Sequence, residues 1–189
     1  MRDIYVLKKV GVIGLGFVGG AVYRYFTNAG CNTHGYDIAK DSDSFEKTIE
    51  SEVLFLCLPT VFSTSEKTYD KSAILDTCEL LSGSDYKGLV VLKSTVEPTT
   101  TNSLAKRFPK LKLVHNPEFL SAATAAADFV NQSHIVLGKS DPVNWKELGH
   151  LEAFYSAHFP KAQISTCSSD ESEAMKIFVK HARESDQFL

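Results

Sequence analysis

The segment Val10-Gly11-Val12-Ile13-Gly14-Leu15-Gly16-Phe17-Val18-Gly19-Gly20 decides the fold, because an apolar strand runs straight into Gly14-x-Gly16-x-x-Gly19 and then into a helix-patterned stretch. Glycines at this spacing between a strand and a helix form the turn that cradles a dinucleotide pyrophosphate. Gly14 can take the angles of the tight turn, Gly16 lets the backbone approach the pyrophosphate, and Gly19 lets the helix lie close to the strand. The anion would sit at the N-terminus of the helix expected over 17–28. There, unpaired N–H groups, those of Phe17 and Val18 among them, and the helix dipole favour negative charge. Phe17, Val18, Ala21, Val22, Tyr25, Phe26 and Ala29 recur on one helical face, which reads as core, and Gly30 is a natural stop.

Asp37 follows Gly19 by eighteen residues, at the end of a second strand-like run. A carboxylate there accepts hydrogen bonds from a ribose diol and repels a 2′-phosphate, so the expected cofactor is NAD. The next residues, Ile38, Ala39, Lys40 and Asp41, offer a single Lys, which is not a phosphate clamp. The bland alternative is a plain glycine turn with Asp37 as a solvated strand-end acid.

At 189 residues, 43% apolar and 23% charged, the chain can bury one sizeable core and is short for a two-domain dehydrogenase. A net charge of −3, with no basic run, gives no footprint for nucleic acid. Neither a charged-then-apolar leader after Met1 nor an apolar stretch of membrane length is present, so the expectation is a soluble, cytoplasmic protein without a membrane partner. Cys31, Cys57, Cys78 and Cys167 are scattered, without a C-x-x-C pair or a histidine at ligand spacing, so no metal site is expected. None has an activating partner in sequence, and Cys31 and Cys57 read as small buried hydrophobes.

Strand and helix patterns alternate along the whole chain, which predicts an α/β fold of the Rossmann type: a doubly wound, mostly parallel sheet with helices on both faces. Strands are expected at 9–13, 33–36, 53–57, 89–92, 112–115, 134–137 and 163–165. Helices are expected at 17–28, 44–50, 71–81, 100–108, 122–129, 142–158 and 170–183, the last opened by a Ser168-x-x-Glu171 capping box. Ligands of such sheets bind beyond the carboxyl ends of the strands. Those ends carry Leu58-Pro59-Thr60, Lys93-Ser94-Thr95-Val96 and Asn116-Pro117-Glu118-Phe119-Leu120.

Together with the glycine loop, Asp37, Tyr69-Asp70-Lys71-Ser72 and Asp128, these motifs resemble, in order and spacing, the N-terminal NAD-binding domain of the UDP-glucose/GDP-mannose dehydrogenase family. The resemblance covers nearly the whole chain. It implies oxidation of a nucleotide sugar's primary alcohol to a carboxylate with two NAD in succession, through an aldehyde and a cysteine-bound thioester. It also implies that Pro59, Thr60, Ser94 and Thr95 line the dinucleotide path, that Thr95 and Glu118 face the reacting end, and that Lys176 faces the substrate. On this reading residues 1–168 form the cofactor domain, and 169–189 begin a helix that connects to a second domain.

Several residues depart from the family pattern. The family continues Asn-Pro-Glu-Phe-Leu with Arg-Glu-Gly, whereas Ser121-Ala122-Ala123 stands here and an acid linked to catalysis is lost. Val61 replaces a frequent Pro, and Lys180 replaces an Asn. The family's catalytic Cys lies in a Gly-rich segment of the second domain, which nothing in these 189 residues matches. Three functional alternatives therefore stand: the cofactor half of a nucleotide-sugar dehydrogenase, a stand-alone NAD(H)-binding protein without catalysis, and the cofactor domain of a β-hydroxyacid dehydrogenase. Local alternatives stand as well. Ser94 and Thr95 could cap the following helix, Asn116-Pro117-Glu118 could be a helix entrance, and Lys176 and Lys180 could be a solvated, mutually repelling pair.

Overall fold

The computed structural model describes residues 7–121 and 123–185; Ala122, where the family's acid is missing, and the chain end at 186–189 lie outside them. The strands are β1 (Lys9–Ile13), β2 (Asn32–Tyr36), β3 (Val53–Leu56), β4 (Phe62–Ser63), β5 (Thr68–Tyr69), β6 (Leu89–Leu92), β7 (Lys112–His115), β8 (His134–Lys139) and β9 (Gln163–Ser168). The helices are α1 (Phe17–Asn28), α2 (Phe45–Thr48), α3 (Ser72–Gly83), α4 (Thr100–Arg107), α5 (Ala125–Val130), α6 (Trp145–His158) and α7 (Ser169–Ser185). Every strand and helix expected from the sequence is present within a few residues. The hairpin β4–β5 was not expected, since two-residue strands carry no periodicity.

Seven strands form one sheet in the order β2-β1-β3-β6-β7-β8-β9. The order reverses between β1 and β3, so the carboxyl ends of these two strands flank the crevice where ligands of doubly wound sheets bind. β3 and β6 read Val-Leu-Phe-Leu and Leu-Val-Val-Leu, and every residue of both is buried, as parallel strands covered on two faces require. Alternate residues feed two cores. Phe55 and Val91 join Phe26 of α1, Phe129 of α5 and Phe154 of α6 on one face. Leu54, Leu56 and Leu92 meet Ile74 and Leu81 of α3 and Leu104 of α4 on the other. Phe26 stacks on Phe55 at 5.5 Å and lies 4.9 Å from Phe154, and its full burial is worth on the order of 2–3 kcal/mol. Phe17 departs from the expected core face of α1, being 72% exposed at the helix start.

Two strands, β8 and β9, run against the other five. β8 pairs antiparallel with β7, through Val114 with Lys139 and His115 with Gly138, and β9 runs parallel to β8. The N-terminal half of β8 therefore extends past the end of β7, and the α5–β8 loop at 131–133 comes to the same rim as the Asn116–Leu120 segment. Helix α7 begins after β9 with the expected capping box: Glu171 N–H donates to Ser168 Oγ at 3.2 Å, and Ser168 N–H donates to Glu171 at 2.9 Å. The helix docks firmly. Ser172 meets His115 Nδ1 at 2.8 Å and crosses β8 at Gly138, where a Cβ would come within 2.5 Å of the Ser172 Cβ.

Glu173 of α7 is fully buried and accepts hydrogen bonds from the Thr101 N–H, at 2.8 Å, and from the Thr101 hydroxyl in the first turn of α4; its second oxygen has no partner. Burial raises its pKa from 4.5 to about 7 against the opposing pull of those bonds. The folded state thus keeps a proton that the unfolded chain releases, so the stability linked to it is present below pH 4.5 and is lost as pH rises through about 7. Relative to Glu173→Gln, wild-type stability in urea unfolding is expected to fall by up to about 3 kcal/mol between those pH values. A difference that stays flat with pH would remove this role from Glu173.

Candidate functional site

The glycine loop divides its work among three positions. Gly14 has φ +87°, and a Cβ there would lie 2.6 Å from the Cys57 carbonyl oxygen, so both its conformation and its closeness to the end of β3 demand glycine. At Gly19 a Cβ would fall 1.7 Å from the Gly14 carbonyl oxygen, which is impossible without driving α1 off the sheet. A Cβ on Gly16 would meet nothing within 4 Å. Gly16 and Phe17 are exposed, and Val18 is partly buried behind them. The loop is bare backbone facing outward at the start of a twelve-residue helix, which fits an anion held by N–H groups.

Asp37 reaches this loop from β2. Its carboxylate accepts from the Leu15 N–H at 2.7 Å and from the Ala39 N–H at 2.9 Å, which fixes it beside the glycines with oxygen lone pairs to spare. Lys40, an exposed residue, donates to the Leu15 carbonyl.

Across the crevice the strand ends are stapled to one another. The Ser94 hydroxyl donates to the Leu58 carbonyl at 2.7 Å and accepts from the Leu58 N–H at 3.1 Å, while Thr60 donates to the Thr95 carbonyl at 2.7 Å. These bonds hold the segment after β6 against the segment after β3. Ser94 is buried, and its hydroxyl is engaged with the Leu58 backbone. Neither Ser94 nor Thr95 caps α4, whose N-cap is Thr99 without a side-chain bond. Pro59 is exposed and Thr95 partly so, on the crevice rim.

The next staple joins β6 to β7. Lys93 is buried at 3% exposure and donates to Asn116 at both the side-chain oxygen, 2.9 Å, and the carbonyl oxygen, 3.3 Å. Asn116 also accepts from the Tyr155 hydroxyl of α6 and donates to the Val136 carbonyl of β8 at 2.8 Å. Asn116 is therefore a hub binding four elements and not a helix cap; α5 starts only at Ala125. Burial lowers the Lys93 pKa to about 8, with Cys57 and Glu118 pulling the other way, and pushes the Cys57 thiol up to about 12. Burial likewise holds His115 neutral, with its pKa near 3.

Helix α7 closes the rim. Lys176 donates to the Glu118 carbonyl and pairs with the Glu118 carboxylate at 3.2 Å, with both side chains mostly buried. Lys180 reaches the Tyr69 hydroxyl at 3.2 Å and lies 5.2 Å over its ring. The two lysines are therefore separately partnered and not a solvated, repelling pair. The hairpin that bears Tyr69 is itself clasped by Glu97, which accepts from Thr68 and the Tyr69 N–H and pairs with Lys71 at 2.9 Å. Burial would raise this carboxyl, but those bonds hold it at about 2.

Of the residues expected from sequence, the fold brings Thr60, Thr95, Glu118 and Lys176 to one rim beside the glycine loop and Asp37. The hub of Lys93, Asn116 and Tyr155 was missed as a unit. An uncompensated Lys at the end of an all-apolar strand is the one signal that could have flagged it. Among the described residues, no group of three or more His, Cys, Asp or Glu could hold a metal, and no helix is long and apolar enough to cross a membrane.

Comparison with known proteins agrees with this arrangement. Residues 37–157, more than half of the chain, match the UDP-glucose/GDP-mannose dehydrogenase family, NAD binding domain. The chain is 26% identical to the UDP-glucose 6-dehydrogenase AglM of Haloferax volcanii, over 77% of this chain and 44% of that protein. It is 23% identical to the UDP-N-acetyl-D-mannosamine dehydrogenase of Methanococcus maripaludis, over 92% of this chain and 47% of that protein. The fold superposes on the GDP-mannose dehydrogenase of Pseudomonas aeruginosa with a TM-score of 0.77 at 21% identity, covering 93% of this chain and 50% of that one. For the Pyrobaculum islandicum UDP-glucose dehydrogenase the TM-score is 0.78 at 23% identity, covering 93% and 49%. The chain thus spans about half the length of the relatives it matches, and the β-hydroxyacid dehydrogenase alternative falls away. It belongs to the UDP-glucose/GDP-mannose dehydrogenase family and corresponds to that family's NAD-binding domain.

Proposed function

We propose that the chain serves as the cofactor-holding part of a cytoplasmic nucleotide-sugar dehydrogenase that oxidises a sugar's primary alcohol. The observation that carries this is the stapling of three strand ends, through Thr60–Thr95, Lys93–Asn116 and Glu118–Lys176, onto one rim beside the glycine loop and Asp37. Bound NAD would supply hydride acceptance. Gly14, Gly16 and Gly19 with the N–H groups of Phe17 and Val18 hold the pyrophosphate, Asp37 accepts from the ribose diol, and Pro59 and Thr60 wall the path to the reacting end. There the Thr95 hydroxyl and the Glu118 carboxylate stand near the alcohol, and the Lys176 ammonium, poised on Glu118, stabilises oxygen as it gains negative charge. Within this proposal residues 1–168 form the dinucleotide-binding unit and 169–189 the helix that leads out of it.

A second reading, cofactor binding without oxidation, draws on the Glu118–Lys176 contact: the acid and the ammonium occupy each other. The four thiols also give no ready nucleophile. Cys57 and Cys78 are pushed to about 12, and burial raises Cys31 and Cys167 as well.

Three outcomes test these readings. Gly16→Ala should leave thermal stability within a few degrees of wild type yet weaken NAD at least tenfold, whereas Gly19→Ala should lower stability itself; NAD affinity untouched by Gly16→Ala would rule out pyrophosphate binding at this loop. Calorimetry should give tighter binding of NAD than of NADP, with Asp37→Ala narrowing the gap, and a preference unchanged by that substitution would strip Asp37 of its role. Offered UDP-glucose or GDP-mannose with NAD, the 189-residue chain alone should release no NADH. NADH release would show that the chain alone carries out the first hydride transfer, and formation of the sugar carboxylate would point to a nucleophile within it, with Cys167 the first to replace.

A further inference from the structure

A cleft of about 510 Å³ opens on the face of the sheet covered by α3 and α4, between the β4–β5 hairpin, the start of α3 and α4. That volume falls within the roughly 300–1,000 Å³ of pockets that take small organic molecules. None of its lining belongs to the glycine loop, to Asp37 or to the rim of Thr60, Thr95, Glu118 and Lys176. The cleft is therefore separate from the dinucleotide site and does not depend on how that site is read.

One stripe of α4 faces this cleft. Thr100, Ser103, Leu104 and Arg107 stand at i, i+3, i+4 and i+7 and all line it, with Leu75 of α3 as a further apolar wall. Thr100 is only 8% exposed, yet its hydroxyl bonds to nothing among the described residues. A buried hydroxyl left in that state is costly, and a guest that reaches it removes the cost. The Arg107 guanidinium lies 5.3 Å over the Phe108 ring and meets no carboxylate among the described residues, which leaves its N–H fork for a guest. The N–H groups at the start of α4 are occupied, that of Thr100 by the Glu97 carbonyl at 3.2 Å and that of Thr101 by Glu173 at 2.8 Å. Side chains, not the helix terminus, make this site.

The charged groups set the sign of the guest, because hydroxyls can turn either way. Glu97 is the one acid among the described lining residues, and its oxygens are filled: one accepts from the Thr68 hydroxyl and from the Tyr69 N–H at 2.6 Å, the other takes Lys71 at 2.9 Å. Two cations stand against that one carboxylate. Lys71 keeps one N–H beyond its bonds to Glu97 and Thr68, and Arg107 keeps all of its own. The matching guest is an anion with several oxygens, since the Arg107 fork, two hydroxyls and the remaining Lys71 N–H outnumber what a planar carboxylate can face at once.

We infer that this cleft binds a phosphomonoester of a small organic molecule, with Arg107 and the hydroxyls of Thr100 and Ser103 on the phosphate oxygens and Leu75 and Leu104 against the organic part. The Lys71 ammonium, paired with Glu97, neutralises the carboxylate that would otherwise oppose the guest.

The test is an NMR titration of the full 189-residue chain with phenyl phosphate and with α-D-glucose 1-phosphate, each with and without NAD, using benzoate, phenol and inorganic phosphate as controls. Saturable shifts of the Thr100 and Ser103 amides are expected with both esters and are the same with NAD present. Tighter binding of phenyl phosphate would identify an ester with an apolar body, and tighter binding of the glucose ester a sugar phosphate. Arg107→Gln, which breaks no ion pair, should weaken the esters at least about tenfold, and Thr100→Val, which breaks no side-chain hydrogen bond, about fivefold. Inorganic phosphate bound as tightly as the esters would mean an adventitious ion only, and benzoate or phenol bound as tightly would remove the role of the phosphate. Loss of the shifts on adding NAD would assign them to the dinucleotide crevice. Any of these results, absence of shifts with both esters, or affinity unchanged by Arg107→Gln would overturn the proposal.

Discussion

Everything on the functional rim is referred to one contact, the α-carbon of Gly19 against the carbonyl oxygen of Gly14. No side-chain atom fits between them, and the same approach brings Gly19 against the Cys57 Cβ at the end of β3. Helix α1 is thereby seated at the point where the sheet order reverses, with its free N–H groups directed over the crevice between β1 and β3. The seat is secured from below by Phe26, whose ring is shared by α1, β3, α5 and α6. The core fixes how close the helix lies, and the closeness fixes where an anion can be held.

From that reference the other strand ends are positioned by bonds between side chains and backbone, not by packing alone. Hydroxyls clamp β6 to β3, a buried ammonium clamps β6 to β7, and carboxylates clamp the hairpin and α7. Each clamp removes a polar group from solvent, so each must be satisfied locally. Asn116 shows how this is achieved, accepting from Lys93 and Tyr155 while donating to Val136. A network of this kind holds loops at a rim to the precision of the sheet itself, which is what positioned chemistry between loops requires.

The sequence made the first layer legible and left the second obscure, for a physical reason. Glycine spacing, strand runs such as Val53–Leu56 and caps such as Ser168–Glu171 are local, and each announces its own geometry within a few residues. Asp37 was legible because its distance from Gly19 is set by one helix, one turn and one strand. The clamps join residues far apart in the chain, Ser94 with Leu58 or Lys93 with Asn116, so a Ser, Lys or Asn at a strand end looks the same whether it faces a ligand or a neighbouring carbonyl. The Ser94 hydroxyl is thus bonded to the Leu58 backbone, and Asn116, for which a helix entrance was the local alternative, is a hub.

The reversal of β8 was invisible for a related reason, since an apolar strand of six residues carries no mark of its direction. Its consequence reaches the rim twice. It brings the α5–β8 loop beside Lys93, and through β9 it sets α7 on a course across the end of β7, with Ser172 on His115, Glu173 on Thr101, Lys176 on Glu118 and Lys180 on Tyr69. Four residues within three turns of one helix thus touch β7, α4, the segment after β7 and β5. A shift of α7 along its axis would disturb all four contacts together, so the position of Lys176 relative to Glu118 is coupled to the buried cap at Glu173 and, through it, to whether that carboxyl holds its proton.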